Sequence, residues 1–423
     1  MIDLSADTSH FISEMQEGLA GRPQSLKMIC TYIAADGEIP ADEPVIVMDA
    51  GGTNFRTALV VFDRDRKPSV SYSRTYPMPG TQGEIGRGEF FRAIAEYIKP
   101  IIRLSSRIGF CFSYPTAITP ERDGALIKFT KEVRVRDMEG ILVGAGLKSE
   151  LQDEGITDGK HIVLLNDSVA TLLAGAAAMP GRRFSSYIGF ILGTGTNTCY
   201  VEKNSSISGH PGLAGKPGST IINIESCGYG GLQRGEFDLR VDRASGEPGA
   251  QQLEKMISGF YIGKVLLAML HQAASDELFT PEAAGRISRL TVLTAKDIDD
   301  FCLYPSSDGT VLGRCINGAD PGADEQNQLT LYDLADALFE RAARITAVTL
   351  AAAVRQSGQG TNPCYPVLIT AEGTAFYKAK LFRGKLDYYV SSFLNRELGL
   401  YCEFARVEDA TLIGTAIAGL TNG

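Results

Sequence analysis

The residues of this chain that could do chemistry stand where apolar runs end. Residues 162–165 are apolar, stop at Asn166 and Asp167, and are followed by helical spacing through 176. A carboxylate placed there sits beyond the carboxyl end of a buried strand, where open α/β sheets put their reactive groups. The free N–H groups and positive dipole end of the new helix hold such a carboxylate ionised, which suits Asp167 to act as a general base. The same pattern serves a plain helix cap, and Asp167 by itself does not separate the two. A second apolar run, 45–48, leads into Asp49-Ala50-Gly51-Gly52-Thr53-Asn54-Phe55-Arg56, and 57–62 resumes as a strand. A glycine hairpin with little side-chain bulk can bring backbone N–H groups close to a phosphate. Thr53 and Asn54 add hydrogen-bond donors, and Arg56 adds a fixed cationic fork. Gly-Gly is also ordinary hairpin chemistry, although the flanking Asp and Arg speak against a plain turn. Residues 187–192, then Gly193-Thr194-Gly195-Thr196-Asn197, then 198–202 repeat this strand–turn–strand unit, and Gly-Thr-Asn occurs at both 52–54 and 195–197. Two such hairpins could face each other across a polyphosphate.

The elements that position these groups follow from periodicity. Alternating or continuous apolar runs predict strands at 70–76, 107–112, 221–224, 365–370 and 401–405. Helical spacing predicts an amphipathic N-terminal helix (Phe11, Met15, Leu19) capped near residues 7–9. It also predicts helices over 89–104, 251–272, 329–356 and 411–420. Ser113 follows the 107–112 strand, Glu225 follows 221–224, and Gln251 and Glu254 open the 251–272 helix. Thr130 and Lys131 end the stretch 126–131, where a solvated loop is the plainer reading. Glu372-Gly373-Thr374 makes a further glycine turn before a helix.

Composition narrows the class. Charged residues at 22% and hydrophobic ones at 44% are ordinary for a globular chain, and 423 residues suffice for two domains. A net charge of −9 argues against a nucleic-acid partner. No apolar stretch is long enough to span a membrane, and the first residues lack the pattern of a signal peptide. Eight scattered cysteines without a Cys-x-x-Cys pair argue for reduced thiols and a cytoplasmic location rather than a zinc site or disulfide frame. No Gly-x-x-x-x-Gly-Lys-Ser/Thr is present, and no helix follows Gly51-Gly52, so neither the P-loop nor the dinucleotide fingerprint applies.

Taken together, the motifs resemble those of hexokinases, in the superfamily shared with actin and the Hsp70 ATPase domain. DAGGTNFR at 49–56 resembles the first phosphate motif, and LGTGTNTCYVE at 192–202 the second. GFCFSYP at 109–115 and FTK at 129–131 resemble the sugar-loop segments. NDSVATLLAG at 166–175 is similar to the catalytic Asn-Asp segment. INIES at 222–226 and QQLEKMISGFYIGK at 251–264 resemble two more sugar-binding segments. TAEGTAFYK at 370–378 resembles the adenosine motif and EDATLIGTA at 408–416 the closing helix. The resemblance spans roughly residues 45–420 in the family's order. Phe129 stands where the family has Trp, Glu132 where it has Gly, and the segment 132–137 is strongly charged. Glu372-Gly373-Thr374 replaces Asp-Gly-Ser, and Ala410-Thr411-Leu412 replaces Gly-Ser-Gly.

The resemblance implies an α/β chain with a two-domain actin-like ATPase (ribonuclease H-like) fold and an interdomain cleft. One domain would comprise 45–166 plus 409–423, the other 1–44 plus 167–408. It implies ATP and Mg²⁺ as the phosphoryl donor system and a hexose, most simply glucose, as acceptor at its 6-hydroxyl. Ser113, Thr130, Lys131, Asn166, Asp167, Asn197, Glu225, Gln251 and Glu254 would contact the sugar. Asp167 would be the base, and Lys131 would stabilise the transferring phosphoryl group. Asp49, Gly51, Gly52, Thr53, Asn54, Arg56, Gly193, Thr194 and Gly195 would face the nucleotide phosphates. Gly373, Thr374 and Thr411 would lie near adenosine. Mg²⁺ would be held largely by phosphates and water near Asp49, with no protein cage. Two alternatives stay open: a different preferred hexose (mannose, fructose or an amino sugar), or a non-catalytic sugar sensor on the same fold.

Overall fold

The computed structural model describes residues 2–129, 133–157, 159–179, 181–318 and 321–422. Among these residues, two mixed sheets carry the architecture, each flanked by helices. Strands are labelled β1 (Ile29–Cys30), β2 (Pro44–Ala50), β3 (Asn54–Phe62), β4 (Pro68–Pro77), β5 (Arg107–Phe112) and β6 (His161–Leu165). The second half adds β7 (Ser186–Leu192), β8 (Thr196–Lys203), β9 (Ser219–Asn223), β10 (Val367–Glu372) and β11 (Cys402–Ala405). The five-stranded sheet runs β6-β5-β2-β3-β4, and the six-stranded sheet runs β1-β9-β8-β7-β10-β11. In each, an antiparallel glycine hairpin (β2–β3, β7–β8) adjoins parallel strands. Buried parallel strands read as continuous apolar runs, which is why 45–48, 108–112 and 162–165 lack alternation.

The helices that matter for the site are α1 (Leu4–Leu19), α2 (Arg87–Ile98), α3 (Asp167–Ala178), α4 (Glu236–Arg243), α5 (Gln252–Ile257), α6 (Gly259–Ser275), α7 (Pro321–Gln356), α8 (Thr374–Lys378) and α9 (Ala410–Thr421). Four of the expected helices differ from the periodicity reading. α1 starts earlier, because Asp3 accepts the N–H groups of Ser5 and Ala6 at 3.1 and 2.9 Å and so caps it upstream of residues 7–9. α2 stops at Ile98 rather than near 104, because Pro100 lacks the amide hydrogen needed to continue it. The expected 251–272 helix is two helices, broken at Ser258, whose ψ of 155° is extended. α7 also begins before residue 329, with Pro321 in the first turn, where its missing N–H is harmless.

The two sheets meet through small residues. α3 is apolar nearly all round, because it is packed between the six-stranded sheet and α9, which in turn lies on the five-stranded sheet. A Cβ on Gly414 of α9 would lie 1.7 Å from the Ala170 carbonyl oxygen of α3. One on Gly109 of β5 would lie 2.0 Å from the Thr415 oxygen, and one on Gly175 1.7 Å from Thr370 Oγ1 of β10. Backbones therefore touch where α9 meets α3 and β5, the Thr370 side chain closes directly on α3 at Gly175, and buried Ala, Ile and Leu fill the rest. All eight cysteines are free thiols, and among the described residues no helix is long and apolar enough to cross a membrane.

This packing makes Gly414→Ala costly: a Cβ against backbone forces a shift worth about 1–3 kcal/mol. Gly384, in the helix Arg383–Tyr389, has open space around its Cβ position, so Gly384→Ala is expected to stabilise by about 0.5–1 kcal/mol through helix propensity. Thermal unfolding of the two variants should show opposite shifts from wild type.

Candidate active site

Register explains why the singled-out residues emerge together. In the five-stranded sheet Asp49 pairs with Cys111, and Cys111 with Leu165. The strands β2, β5 and β6 therefore end at one level, and the 51–53 turn, Ser113 and Asp167 leave the sheet at that edge. In the six-stranded sheet Ile191 pairs with both Asn197 and Glu372, so the turns at 193–195 and 373–374 leave together. A Cβ on Gly193 would lie 3.5 Å from Gly373 Cα, which puts these two turns in contact.

Asn166, not Asp167, caps α3: its Oδ1 accepts the Ser168 N–H at 2.9 Å and the Ser168 hydroxyl at 2.8 Å. Asp167 is the first helical residue, and its Oδ1 also accepts the Ser168 N–H, at 2.8 Å. The plain-cap role thus falls on its neighbour, and Asp167 lies in the first turn, at the positive end of the helix.

Around this helix start lies a cluster of amides and carboxylates. Asn197 Nδ2 is within hydrogen-bond distance of Asn223 Oδ1 (2.9 Å), Asn166 Oδ1 (3.2 Å), Ser168 Oγ (3.4 Å) and Glu225 Oε1 (3.4 Å). An amide nitrogen has two hydrogens for these four acceptors, so acceptor capacity is left over for hydroxyl donors. Asn223 Nδ2 donates to Glu225 Oε1 at 2.6 Å. Burial pushes the Glu225 carboxyl above its ordinary range and the charge of Asp167 adds to this, while the Asn223, Cys227 and Asn197 hydrogen bonds oppose it. Glu254 Oε2 accepts the Thr196 N–H at 3.0 Å, which ties α5 to the second hairpin. Glu225 and Gln251 both hold left-handed backbone, with φ of 55° and 49°. Such non-glycine residues cost about 1–3 kcal/mol each and persist where their surroundings over-determine them.

The first hairpin closes with the Gly51 N–H donating to the Asn54 oxygen at 3.0 Å, and the Tyr114 hydroxyl donates to the Gly51 oxygen at 2.5 Å. Gly52, Thr53 and Asn54 lie on this turn, with Thr53 and Asn54 exposed. The Arg56 fork is not free-standing. Its Nε and Nη2 donate to Asp49 Oδ2 at 2.9 and 2.6 Å, and Nη1 lies 3.8 Å from Asp409 Oδ1. In the second hairpin the Gly193 N–H donates to the Gly195 oxygen at 2.9 Å, and Thr194 is exposed. Glu372 Oε2 accepts the hydroxyls of Thr411 (3.0 Å) and Thr171 (3.2 Å), joining β10 to α9 and α3. Thr374 begins α8 beside these groups. Thr130 and Lys131 lie outside the described residues.

Sequence reading missed several residues. Asn223 and Ser168 complete the polar cluster; both sit inside motifs already singled out, Asn223 two positions before Glu225 and Ser168 next to Asp167. The break at Ser258 also went unseen. There the Gly259 N–H donates to the Gly193 oxygen at 2.8 Å, and that of Phe260 to the Thr194 oxygen at 3.2 Å. Beside this contact opens a cavity of about 510 Å³ whose lining includes Phe260, Tyr261, Lys264, Thr291 and Thr294. Lys264 Nζ lies 3.7 Å from the Phe260 ring centroid, and burial lowers its pKa from the ordinary lysine value.

Comparison with known proteins bears on the family and the fold. One hexokinase family model matches residues 187–421 and a second hexokinase model matches residues 3–177. The chain is 28% identical to Hexokinase-1 of Schizosaccharomyces pombe over 438 residues, covering 97% of this chain and 86% of that protein. It is 27% identical to Hexokinase-3 of Homo sapiens, covering 84% of this chain and 38% of that longer protein. A solved hexokinase from Schistosoma mansoni, complexed with glucose, superposes with a TM-score of 0.77 at 22% identity and covers 99% of this chain and 96% of that one. The fold is therefore the two-domain actin-like ATPase fold.

The raised Glu225 pKa has a consequence for stability. The folded protein binds this proton more tightly than the unfolded chain. Stability therefore falls as pH rises from the ordinary glutamate value of 4.5 through the folded value. Glu225→Gln removes that penalty while its amide oxygen still accepts from Asn223. Thermal scans without ligand should find the variant more stable than wild type at neutral pH, with the gain vanishing below about pH 4.5. An equal midpoint at neutral pH would contradict the assigned cause.

Proposed function

This chain belongs to the hexokinase family and is a hexose kinase, and we propose that it transfers the γ-phosphoryl group of Mg-ATP to the 6-hydroxyl of glucose, with Asp167 as the general base. The observation that carries the reading is the convergence of Asp167 with the Asn166–Asn197–Asn223–Glu225 cluster at the edge where the glycine hairpins leave their sheets. A hexose is a ring of hydroxyls that each donate and accept, and an array of amides and carboxylates matches it in pairs. Glucose is favoured because the Schistosoma mansoni relative is described in complex with it.

On this reading Ser113, Thr130, Lys131, Asn166, Asn197, Glu225, Gln251 and Glu254 bind and orient the sugar. Asp167 accepts the proton from the 6-hydroxyl oxygen as that oxygen attacks phosphorus. Lys131 balances charge on the transferring group. The 51–54 and 193–195 turns face the phosphates, with Asp49 and Arg56 locked as a pair behind the first. The cavity beside Gly259 takes the nucleoside, and Gly373, Thr374 and Thr411 lie toward adenosine, with Gly373 and Gly259 both against the Gly193 turn. Its aromatic rings suit a flat base. Phosphoryl transfer asks the protein mainly for positioning and electrostatics, which rigid turns provide.

The described residues hold no group of three carboxylate, histidine or cysteine ligands, and the Asp49 oxygen that meets Arg56 is already engaged. This donor set fits an ion that arrives with the nucleotide and keeps its own waters, as Mg²⁺ does, with Asp49 as the nearby carboxylate. When bound, Mg²⁺ would neutralise phosphate charge. We further take 45–166 plus 409–423 as one domain and 1–44 plus 167–408 as the other. The five-stranded sheet and α9 support the first, and the pairing of β1 with β9 supports the second. Closure of the two on sugar would exclude water, the competing acceptor.

The test is ADP release from Mg-ATP with a panel of hexoses. Wild type should turn over in a sugar-dependent manner, fastest with glucose. Asp167→Asn should lower kcat by roughly 10²–10⁴-fold, the contribution typical of a general base. Variant turnover within tenfold of wild type would remove Asp167 from the role, and turnover indifferent to sugar would remove the hexose.

A further inference from the structure

Gln251 and Glu254 sit on a segment that does not hold its own shape. Residues 246–249 are exposed, Gly249 has φ +86°, and Gln251 is left-handed at φ 49° and ψ 48°. Nothing within the short helix α5 imposes that conformation on a glutamine. What lies beneath the segment does. Asp242, at the end of α4 and 7% exposed, accepts the Gly249 N–H on both oxygens at 3.0 and 3.1 Å. Its Oδ1 also accepts Lys255 Nζ at 2.5 Å, and its Oδ2 accepts Arg234 Nη1 at 2.9 Å. Lys255, 3% exposed, turns a further hydrogen to the Glu247 carbonyl at 2.6 Å. The segment is thus pinned at 247, 249 and 255, on both sides of Gln251.

We infer that the buried Asp242–Lys255 pair is the positioning device of the sugar site. It holds Gln251 in its left-handed conformation and Glu254 against the second hairpin, so that Asp242 sets hexose affinity without touching the hexose. This inference rests on the assignment of Gln251 and Glu254 to the sugar. The charge is essential to the device. Two cations and one amide converge on a single carboxylate, and burial, the foremost influence, works to raise its pKa. The Lys255 contact, the Gly249 N–H, the charge of Lys255 and the Arg234 contact outweigh burial and hold it below the ordinary aspartate range. The segment also reaches the other side of the cleft, where Glu247 Oε1 meets Lys128 Nζ at 2.6 Å, two residues before Thr130. A loosened segment therefore loosens a contact on the sugar-loop side as well.

The experiment compares steady-state constants of full-length wild type, Asp242→Asn, Gly249→Ala and Gln251→Ala. Asp242→Asn keeps the shape and removes the charge. Gly249→Ala adds a Cβ into open space, so its only fault is the left-handed backbone. Because that position is exposed, it tests the device even where Asp242→Asn does not fold. Both should raise the glucose KM by about tenfold to hundredfold, as small misplacements of binding groups do, with the ATP KM within twofold of wild type. A purely structural role would instead lower the unfolding midpoint and the active fraction and leave the glucose KM alone. That outcome in folded variants, with Gln251→Ala still raising the KM, overturns the positioning claim. An unchanged KM in Gln251→Ala overturns the sugar assignment and the inference with it.

Discussion

The site exists because α3 packs at backbone distance on β7 of one sheet and on α9, which lies against the other. Its start must lie between two glycine hairpins that belong to different sheets, and little side-chain bulk fits along the crossing. Gly414 meets the Ala170 carbonyl, Gly189 of β7 has the Ser168 carbonyl 2.1 Å from where a Cβ would be, and Gly175 meets Thr370. These contacts are the reason the helix is rich in Ala and Gly. They hold Asn166 and Asp167 in place beside the polar cluster, because close-packed backbone has little room to relax. A lever of larger residues would transmit the same connection with play in it.

What this geometry holds in place is a set of groups at odds with folding. Glu225 carries a charge that burial disfavours, and Glu225, Gln251 and Asp409 hold left-handed backbone without being glycine. Asn197 is offered more acceptors than it has hydrogens. In a structure selected only for stability each would be replaced. On the proposed reading, a bound polyol would supply the missing hydrogens at Asn197, and Glu225 and Gln251 would face it. Violations of local rules concentrate at functional sites and depend on stiff surroundings for their upkeep.

The sequence made one layer of this legible. Strand ends followed by Gly-Gly-Thr-Asn or Gly-Thr-Gly-Thr-Asn, and Asn-Asp at a strand-to-helix junction, carry their chemistry in residue type, so the hairpins and Asp167 could be singled out without coordinates. Three things could not. The break at Ser258 leaves the apolar period intact, since its cause is the Gly259 N–H turning to a carbonyl some sixty residues upstream, at Gly193. The left-handed residues of the sugar cluster are Glu225 and Gln251, types that give no warning of positive φ. Asp242 is one of 50 acidic residues, and only its burial beneath the 247–255 segment sets it apart. Pairings between distant residues are the common feature of all three, and local spacing does not encode them.

The central claim is that this arrangement delivers a phosphoryl group to a sugar hydroxyl and withholds it from water. Phosphorus NMR of the reaction of wild-type protein with Mg-ATP and glucose tests it most directly. The account predicts one new phosphomonoester resonance, coupled to the protons of the sixth carbon, growing in step with ADP, and little inorganic phosphate. Inorganic phosphate released at the rate of ADP, or a phosphate on the anomeric carbon, would contradict it.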